Sequence, residues 1–268
     1  MDVDKTVGLR LWEDMFEASC LDYCANARIQ LLAFLRTCAN VREIRLNLRQ
    51  HNHIQLPESI NSSSTLEVLQ LESNFDINVP PDGTCFPSVK KLSLHLQYLE
   101  SNLMEKLFCR CPSLEELSIT VELNDSGNAT NIVISFSTLK RLALRVAIKA
   151  ELFTHVEHIV AITAPKIECM YIAADIFRSY VMHALHSLKE VLLDIFYRKW
   201  SEVDPNRPIQ LLARVSRIEF LMINGGIVHA IYNAYDNFFP SFPELTYLEM
   251  KHVKHLEFKG VDDDEEEL

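Results

Sequence analysis

Residues 111–121 read Cys111-Pro112-Ser113-Leu114-Glu115-Glu116-Leu117-Ser118-Ile119-Thr120-Val121. Proline lacks a backbone donor and disfavours helix in the residue before it, so Pro112 closes one element ahead of the next. From Leu117 the apolar residues alternate through Ile119 to Val121, the period of a strand with one buried face. Outward from this stretch, apolar–x–x–apolar–x–apolar recurs nine times. It stands at Val41/Ile44/Leu46, Leu66/Leu69/Leu71, Val89/Leu92/Leu94, Leu114/Leu117/Ile119 and Leu139/Leu142/Leu144. It continues at Ile167/Met170/Ile172, Leu188/Val191/Leu193, Val215/Ile218/Phe220 and Leu245/Leu248/Met250. The steps between starts are 25, 23, 25, 25, 28, 21, 27 and 30 residues. With 48% hydrophobic residues, one such window arises by chance about once in nine. Nine in near-regular succession do not.

A strand every 25 residues or so leaves room for a return segment, so neighbouring strands lie parallel. This period with this core marks a leucine-rich-repeat solenoid. The expected fold is α/β, with a curved parallel sheet of about nine strands and helices or loops on its convex side. Helical spacing suggests helices at Leu31/Leu32/Leu35, Leu103/Leu107/Phe108, Leu152/Val156/Ile159/Val160 and Ile176/Tyr180/Val181/Leu185. Pro87, Pro112, Pro165 and Pro243 each stand two residues before a pattern, where a proline suits the approach to a strand. The asparagine that bonds neighbouring turns in regular repeats, eight residues past each start, occurs only as Asn74, so the turns need another partner. The 30-residue step after Val215, with Gly225-Gly226 and Tyr232, Tyr235, Phe238 and Phe239, reads as an insertion. The division is a helical leader at 1–28, a repeat domain at 29–258 and a disordered acidic tail at 259–268.

Six of the net −11 charges lie in Asp262–Glu267, leaving the rest near −5. No basic block offers counterion release, which argues against nucleic acid as a partner. The seven cysteines form no even framework, the first thirty residues hold no apolar leader core, and no 18-residue apolar run could span a membrane. A reduced cytosolic or nuclear setting is the expectation, with the sequons at Asn61, Asn124 and Asn128 unused.

The segments between the patterns resemble plant F-box/FBD/leucine-rich-repeat proteins. The likeness rests on Leu56-Pro57-Glu58-Ser59-Ile60 before Thr65-Leu66, Phe86-Pro87-Ser88-Val89-Lys90, and Cys111-Pro112-Ser113-Leu114-Glu115-Glu116-Leu117. Phe136 with Thr138-Leu139-Lys140-Arg141-Leu142, Ala164-Pro165-Lys166-Ile167, and Phe242-Pro243-Glu244-Leu245-Thr246 extend it, so that it covers roughly residues 54–250. The resemblance implies that the repeats recruit a substrate while an F-box docks on the adaptor of a Skp–cullin–F-box ubiquitin ligase. Residues 1–40 lack the Leu-Pro-x-Glu/Asp and Ser-Lys-x-Trp ends of an F-box, and the FBD segment stops after its first strand. An adaptor is therefore a partner only if a divergent F-box is present. A stand-alone scaffold or decoy is the other reading.

No catalytic motif appears. His155/His158, His183/His186 and His252/His255 are spaced pairs without a third ligand or a base, and Gly225-Gly226 lacks the rest of a phosphate loop. No enzyme activity, metal or cofactor is expected. Function falls to the residues between the buried strand positions, which line the concave face. These include Lys91, Ser93, His95; Glu116, Ser118, Thr120; Arg141, Ala143, Arg145; Cys169, Tyr171, Ala173; and Arg217, Glu219, Leu221. Arginine and tyrosine are favoured interface anchors. Lys91, His95, Arg141, Arg145 and Tyr171 are the expected contact patch for an acidic segment of a protein partner. The last strand is poorly capped, which points to association through that end.

Overall fold

The structure is a computed structural model. It describes residues 8–12, 33, 40–47, 54–72, 75–76, 85–96, 111–123, 131–148, 159–175, 179–196, 206–233 and 240–251. In chain order the described strands begin with β1 (Gly8–Trp12), β2 (Glu43–Asn47), β3 (Ile54–Gln55), β4 (Val68–Glu72) and β5 (Phe75–Asp76). Next come β6 (Lys91–Leu96), β7 (Glu116–Leu123), β8 (Asn131–Ser135), β9 (Arg141–Ile148) and β10 (Ile159–Thr163). The last are β11 (Cys169–Asp175), β12 (Ser179–His183), β13 (Glu190–Phe196), β14 (Phe220–Asn224) and β15 (Tyr247–Lys251). The helices described in full are α1 (Glu58–Asn61), α2 (Asn206–Arg214) and α3 (Gly225–Asn233).

Ten strands form one sheet in the order β1-β2-β4-β6-β7-β9-β11-β13-β14-β15, and the pairings run parallel from end to end. This is the leucine-rich-repeat α/β solenoid read from the periodicity, with one strand more than expected. The register stacks like on like. Ile44, Leu69, Leu92, Leu117, Leu142, Met170, Val191 and Leu221 form one buried row. Leu46, Leu71, Leu94, Ile119, Leu144, Ile172, Leu193 and Ile223 form the next. A single repeat could not shield these side chains; each row is a core only because its neighbours continue it.

The strand starts are tied to the preceding repeat in two ways. At the starts of the main-sheet strands from β4 onward one backbone N–H reaches the preceding repeat: Glu67 donates to Arg42 O, Lys90 to Glu67 O, Glu115 to Lys90 O and Lys140 to Glu115 O. Glu168, Lys189, Glu219 and Thr246 continue the chain of bonds at 2.8–2.9 Å. The residues on this line alternate in sign: Arg42, Glu67, Lys90, Glu115, Lys140, Glu168, Lys189, Glu219. Lys90 pairs with Glu67 at 3.2 Å and Lys140 with Glu115 at 3.0 Å. Two residues earlier in the chain, hydroxyls make a second spine. Thr65, Ser88, Ser113, Thr138 and Ser187 donate to carbonyls of the previous turn, those of Val41, Ser64, Pro87, Leu114 and Pro165, at 2.6–3.3 Å.

The structure corrects the sequence reading at four places. Residues 8–12 of the leader are a strand, with Leu9 opposite Ile44 and Leu11 opposite Leu46; the alternation Leu9-x-Leu11 outweighs helical spacing there. Ile159 and Val160 lie in β10, and Tyr180 and Val181 in β12, where helices were expected. With β8 these make a second parallel sheet, β12-β10-β8, on the return side, burying Ile132, Ile134, Val160, Ile162, Tyr180 and Met182. β-branched residues in strict alternation favour strand over helix. The register of β14 is also shifted. Its repeat is Ile218/Leu221/Ile223, so Leu221 is buried at 3% exposure while Phe220 and Met222 face outward. Arg217 therefore leaves the sheet for the turn, and Glu219 belongs to the charged line. The run Ile218-Glu219-Phe220-Leu221-Met222-Ile223 satisfies either alignment, which is why the pattern misleads there. Finally, the 30-residue step precedes β14 (Glu190 to Phe220) and the step after it is 27. The long return carries α2, and Gly225-Gly226 opens α3 rather than an insertion.

α3 has an identifiable start. Asn224 Oδ1 accepts from Ile227 N at 3.2 Å, while its Nδ2 donates to Asp194 Oδ1 at 2.7 Å and Ile195 O at 2.9 Å. One side chain thus caps the helix and ties β14 to β13. The helices expected near Leu31, Leu103 and Leu152, the remainder of the leader, and the acidic tail lie outside the described residues.

Candidate functional site

Alternate side chains of the sheet point away from the core in three rows. Glu43, Val68, Lys91, Glu116, Arg141, Cys169, Glu190, Phe220 and Tyr247 form the first, nearest the strand starts. Arg45, Gln70, Ser93, Ser118, Ala143, Tyr171, Leu192, Met222 and Glu249 form the second. The third includes Glu72, His95, Thr120, Arg145 and Ala173. Because the strands are in register, residues read twenty-five apart in sequence stand about 4.8 Å apart across the sheet.

All five expected contact residues lie on this open face, on strands β6, β9 and β11. Their surroundings are more specific than the sequence suggests. Glu116 stands between Lys91 and Arg141, bonding Lys91 Nζ at 3.0 Å and pairing with Arg141 Nη2. Burial pushes the Glu116 carboxyl up, but the hydrogen bonds from Arg141 and Lys91 outweigh it and hold the group below its ordinary value. The same bond raises Arg141 above its ordinary value. In the third row, the Arg145 guanidinium lies over the Tyr171 ring at 5.2 Å from its centroid, a cation–π contact. His95 Nε2 is 3.6 Å from Glu122 Oε1.

Between these rows the second row shrinks to Ser93, Ser118 and Ala143, leaving a shallow groove of about 350 Å³ closed by Gln70 and Tyr171. Lys91, Glu116 and Arg141 form one side of it. The charged lining of the groove is Arg45, itself paired with Glu43, then Lys91 and Arg141, against the carboxylate of Glu116, while Glu72 and Glu122 flank His95 beside it. Such a surface can hold an acidic, partly apolar segment by charge-assisted hydrogen bonds and stacking.

Two features escaped the sequence reading. The partial neutralisation of the patch by Glu116 was implicit in the register, since Glu116 falls between Lys91 and Arg141. The aromatic pair at the far end was hidden by the β14 shift: Phe220 and Tyr247 stack with centroids 4.7 Å apart and planes 5° apart. Among the histidine pairs, His183 ends β12 and His186 lies in the following turn; the others lie outside the described residues. Among the described residues no three His, Cys, Asp or Glu side chains are grouped to hold a metal ion. Among the described residues no helix is long and apolar enough to cross a membrane.

Comparison with known proteins agrees with the repeat fold. Residues 30–182, more than half of the chain, match the family model "FBD-associated F-box protein At5g56370, LRR repeats". "Putative FBD-associated F-box protein At3g50710" of Arabidopsis thaliana is 33% identical over 129 residues, covering 45% of this chain and 29% of the relative. "F-box/FBD/LRR-repeat protein At4g26340" of the same plant is 32% identical over 108 residues, or 39% and 25%. "F-box protein At1g60400", also from Arabidopsis thaliana, is 25% identical over 205 residues, or 73% and 48%. The matched region thus spans about a quarter to a half of the length of these relatives. No solved structure matches the chain. Stacked repeats, matching segments in the same order and the family model agree: the chain belongs to the plant F-box/FBD/leucine-rich-repeat family, of which it carries the repeats.

Proposed function

We propose that this chain recognises a protein through the open face of its sheet, centred on Lys91, His95, Arg141, Arg145 and Tyr171, and that it does so as the substrate-recognition part of a ubiquitin-ligase receptor. The observation that carries the reading is the groove over Ser93, Ser118 and Ala143, flanked by Lys91 and Arg141 and closed by Tyr171. Its walls supply donors and a ring face, which suit an acidic peptide segment carrying an apolar side chain. The role is binding alone, in the cytoplasm or nucleus, with transfer chemistry left to other subunits and no cofactor required.

A second reading is a scaffold or decoy that binds the same partner without a ligase.

A pull-down of the tagged chain from plant-cell extract with a proteasome inhibitor separates the two. Recovery of the adaptor and cullin supports the receptor role. A reproducible partner without them supports the scaffold. A partner recovered equally well by Arg141→Glu plus Arg145→Glu removes this face from consideration.

A further inference from the structure

On the strand-start edge, the turn between β12 and β13 and the turn between α2 and β14 enclose a pocket of about 320 Å³. Its polar lining is His186, Arg214, Ser216 and Arg217, its apolar lining includes Met182 and Leu185, and no carboxylate lines it. It shares no residue with the groove on the open face.

Two residues before the pattern, most turns carry proline (Pro87, Pro112, Pro165, Pro243) or serine (Ser64, Ser137, Ser216), and His186 stands at that position before β13. One residue before the pattern, five turns carry the hydroxyl of the spine (Thr65, Ser88, Ser113, Thr138, Ser187), and Arg217 stands there before β14. His186 and Arg217 thus bring to this corner donors that the hydroxyl spine does not use. Ala184, just before the lining residues Leu185 and His186, sits at φ 54°, a left-handed conformation that a non-glycine residue keeps only where its surroundings fix it. No ion pair joins Arg214, Arg217 or His186 to a carboxylate among the described residues. Glu219, the acidic group closest in sequence, belongs to the line of charges beside Lys189 and is not part of the lining.

We propose that this pocket binds a tetrahedral oxyanion of the phosphate class, either free or carried on a phosphorylated side chain. Two guanidinium forks match phosphate oxygens in pairs, and the imidazole and hydroxyl supply further donors.

The test is isothermal titration of the whole chain with inorganic phosphate at fixed ionic strength, against chloride. Parallel titrations use a phosphoserine tripeptide and its unphosphorylated form. Saturable phosphate binding, weakened at least tenfold or so by Arg214→Gln plus Arg217→Gln, is expected. Arg207→Gln, on the same helix but outside the lining, should leave it unchanged. Tighter binding of the phosphopeptide than of free phosphate assigns the presented source, and the reverse order the free ion. If the double variant melts early, Arg217→Gln alone, on an exposed turn, replaces it. Heats that do not saturate, or an equal loss in Arg207→Gln, overturn the proposal.

Discussion

Leu142 is the sharpest test of the stacked-row core. Its side chain is 2% exposed and lies in register between Leu117 and Met170. Leu248 occupies the same position of the pattern in β15 but is 50% exposed, and among the described residues only Leu221 stands beside it in the sheet. Truncating Leu142 to alanine removes about three methylene equivalents at roughly 0.8 kcal/mol each and leaves a cavity that neighbours on both sides cannot fill. The expected cost is about 3–4 kcal/mol. Leu248→Ala loses about half the transfer energy and leaves no closed cavity, so it should cost about 1 kcal/mol. Urea unfolding followed by circular dichroism measures both. In a solenoid each repeat leans only on its neighbours, so Leu142→Ala should also lower hydrogen-exchange protection in β7, β9 and β11 more than in β2 or β15. Leu142→Asp, which buries a charge without a partner, should be worse than alanine. Equal costs for Leu142→Ala and Leu248→Ala, or a melt of Leu142→Asp that matches the wild type, would refute the assigned register.

Arg141→Glu plus Arg145→Glu should abolish capture of the partner while leaving the thermal midpoint within a few degrees, since both residues are exposed; a pull-down and a melt check the two halves. Asn224→Ala should cost about 1–3 kcal/mol through loss of the α3 cap and the bonds to β13, read by urea titration; a neutral result would show that the cap is idle. Burial and the nearby Cys85 push the Cys111 thiol up to about 12, so little thiolate exists near neutral pH. Iodoacetamide should label half-buried Cys169 before Cys111 in the native protein, although burial also raises Cys169. Mass spectrometry of digests tests the order, and early labelling of Cys111 contradicts its burial. The hydrogen bond from Lys140 lowers Glu115 below its ordinary value of 4.5. Because the folded value is the depressed one, its contribution is present above about pH 4.5 and fades as pH falls through the folded value. The stability gap between wild type and Lys140→Met should therefore shrink on acidification, and a gap that persists at pH 3 would show that the ion pair contributes nothing.

The strands of the main sheet were legible wherever polar residues interrupt the apolar ones, as in Leu117-Ser118-Ile119-Thr120-Val121. Legibility failed where they do not: 218–223 is apolar at five of six positions, so only the neighbouring strands choose the alignment. The second sheet was missed because Ile159-Val160 and Tyr180-Val181 are compatible with helical spacing when read alone. What decides for strand is partnership with β8, a contact that no local window contains. Five contact residues could be placed on the open face because the period of a strand fixes side. The groove could not, because small residues such as Ser93, Ser118 and Ala143 become a depression only when register sets them between Gln70 and Tyr171.

The line of alternating charges at the strand starts gives the solenoid a parity. Its true period is two repeats: Arg42 to Lys90 is 48 residues, Glu67 to Glu115 is 48, Lys90 to Lys140 is 50 and Lys140 to Lys189 is 49. Removing or duplicating one repeat would set two like charges side by side at about 4.8 Å, whereas removing or duplicating two would restore the sequence of signs. The molecule should therefore grow and shrink in even steps, and a mispaired folding intermediate shifted by one strand meets repulsion along the seam that a shift of two escapes.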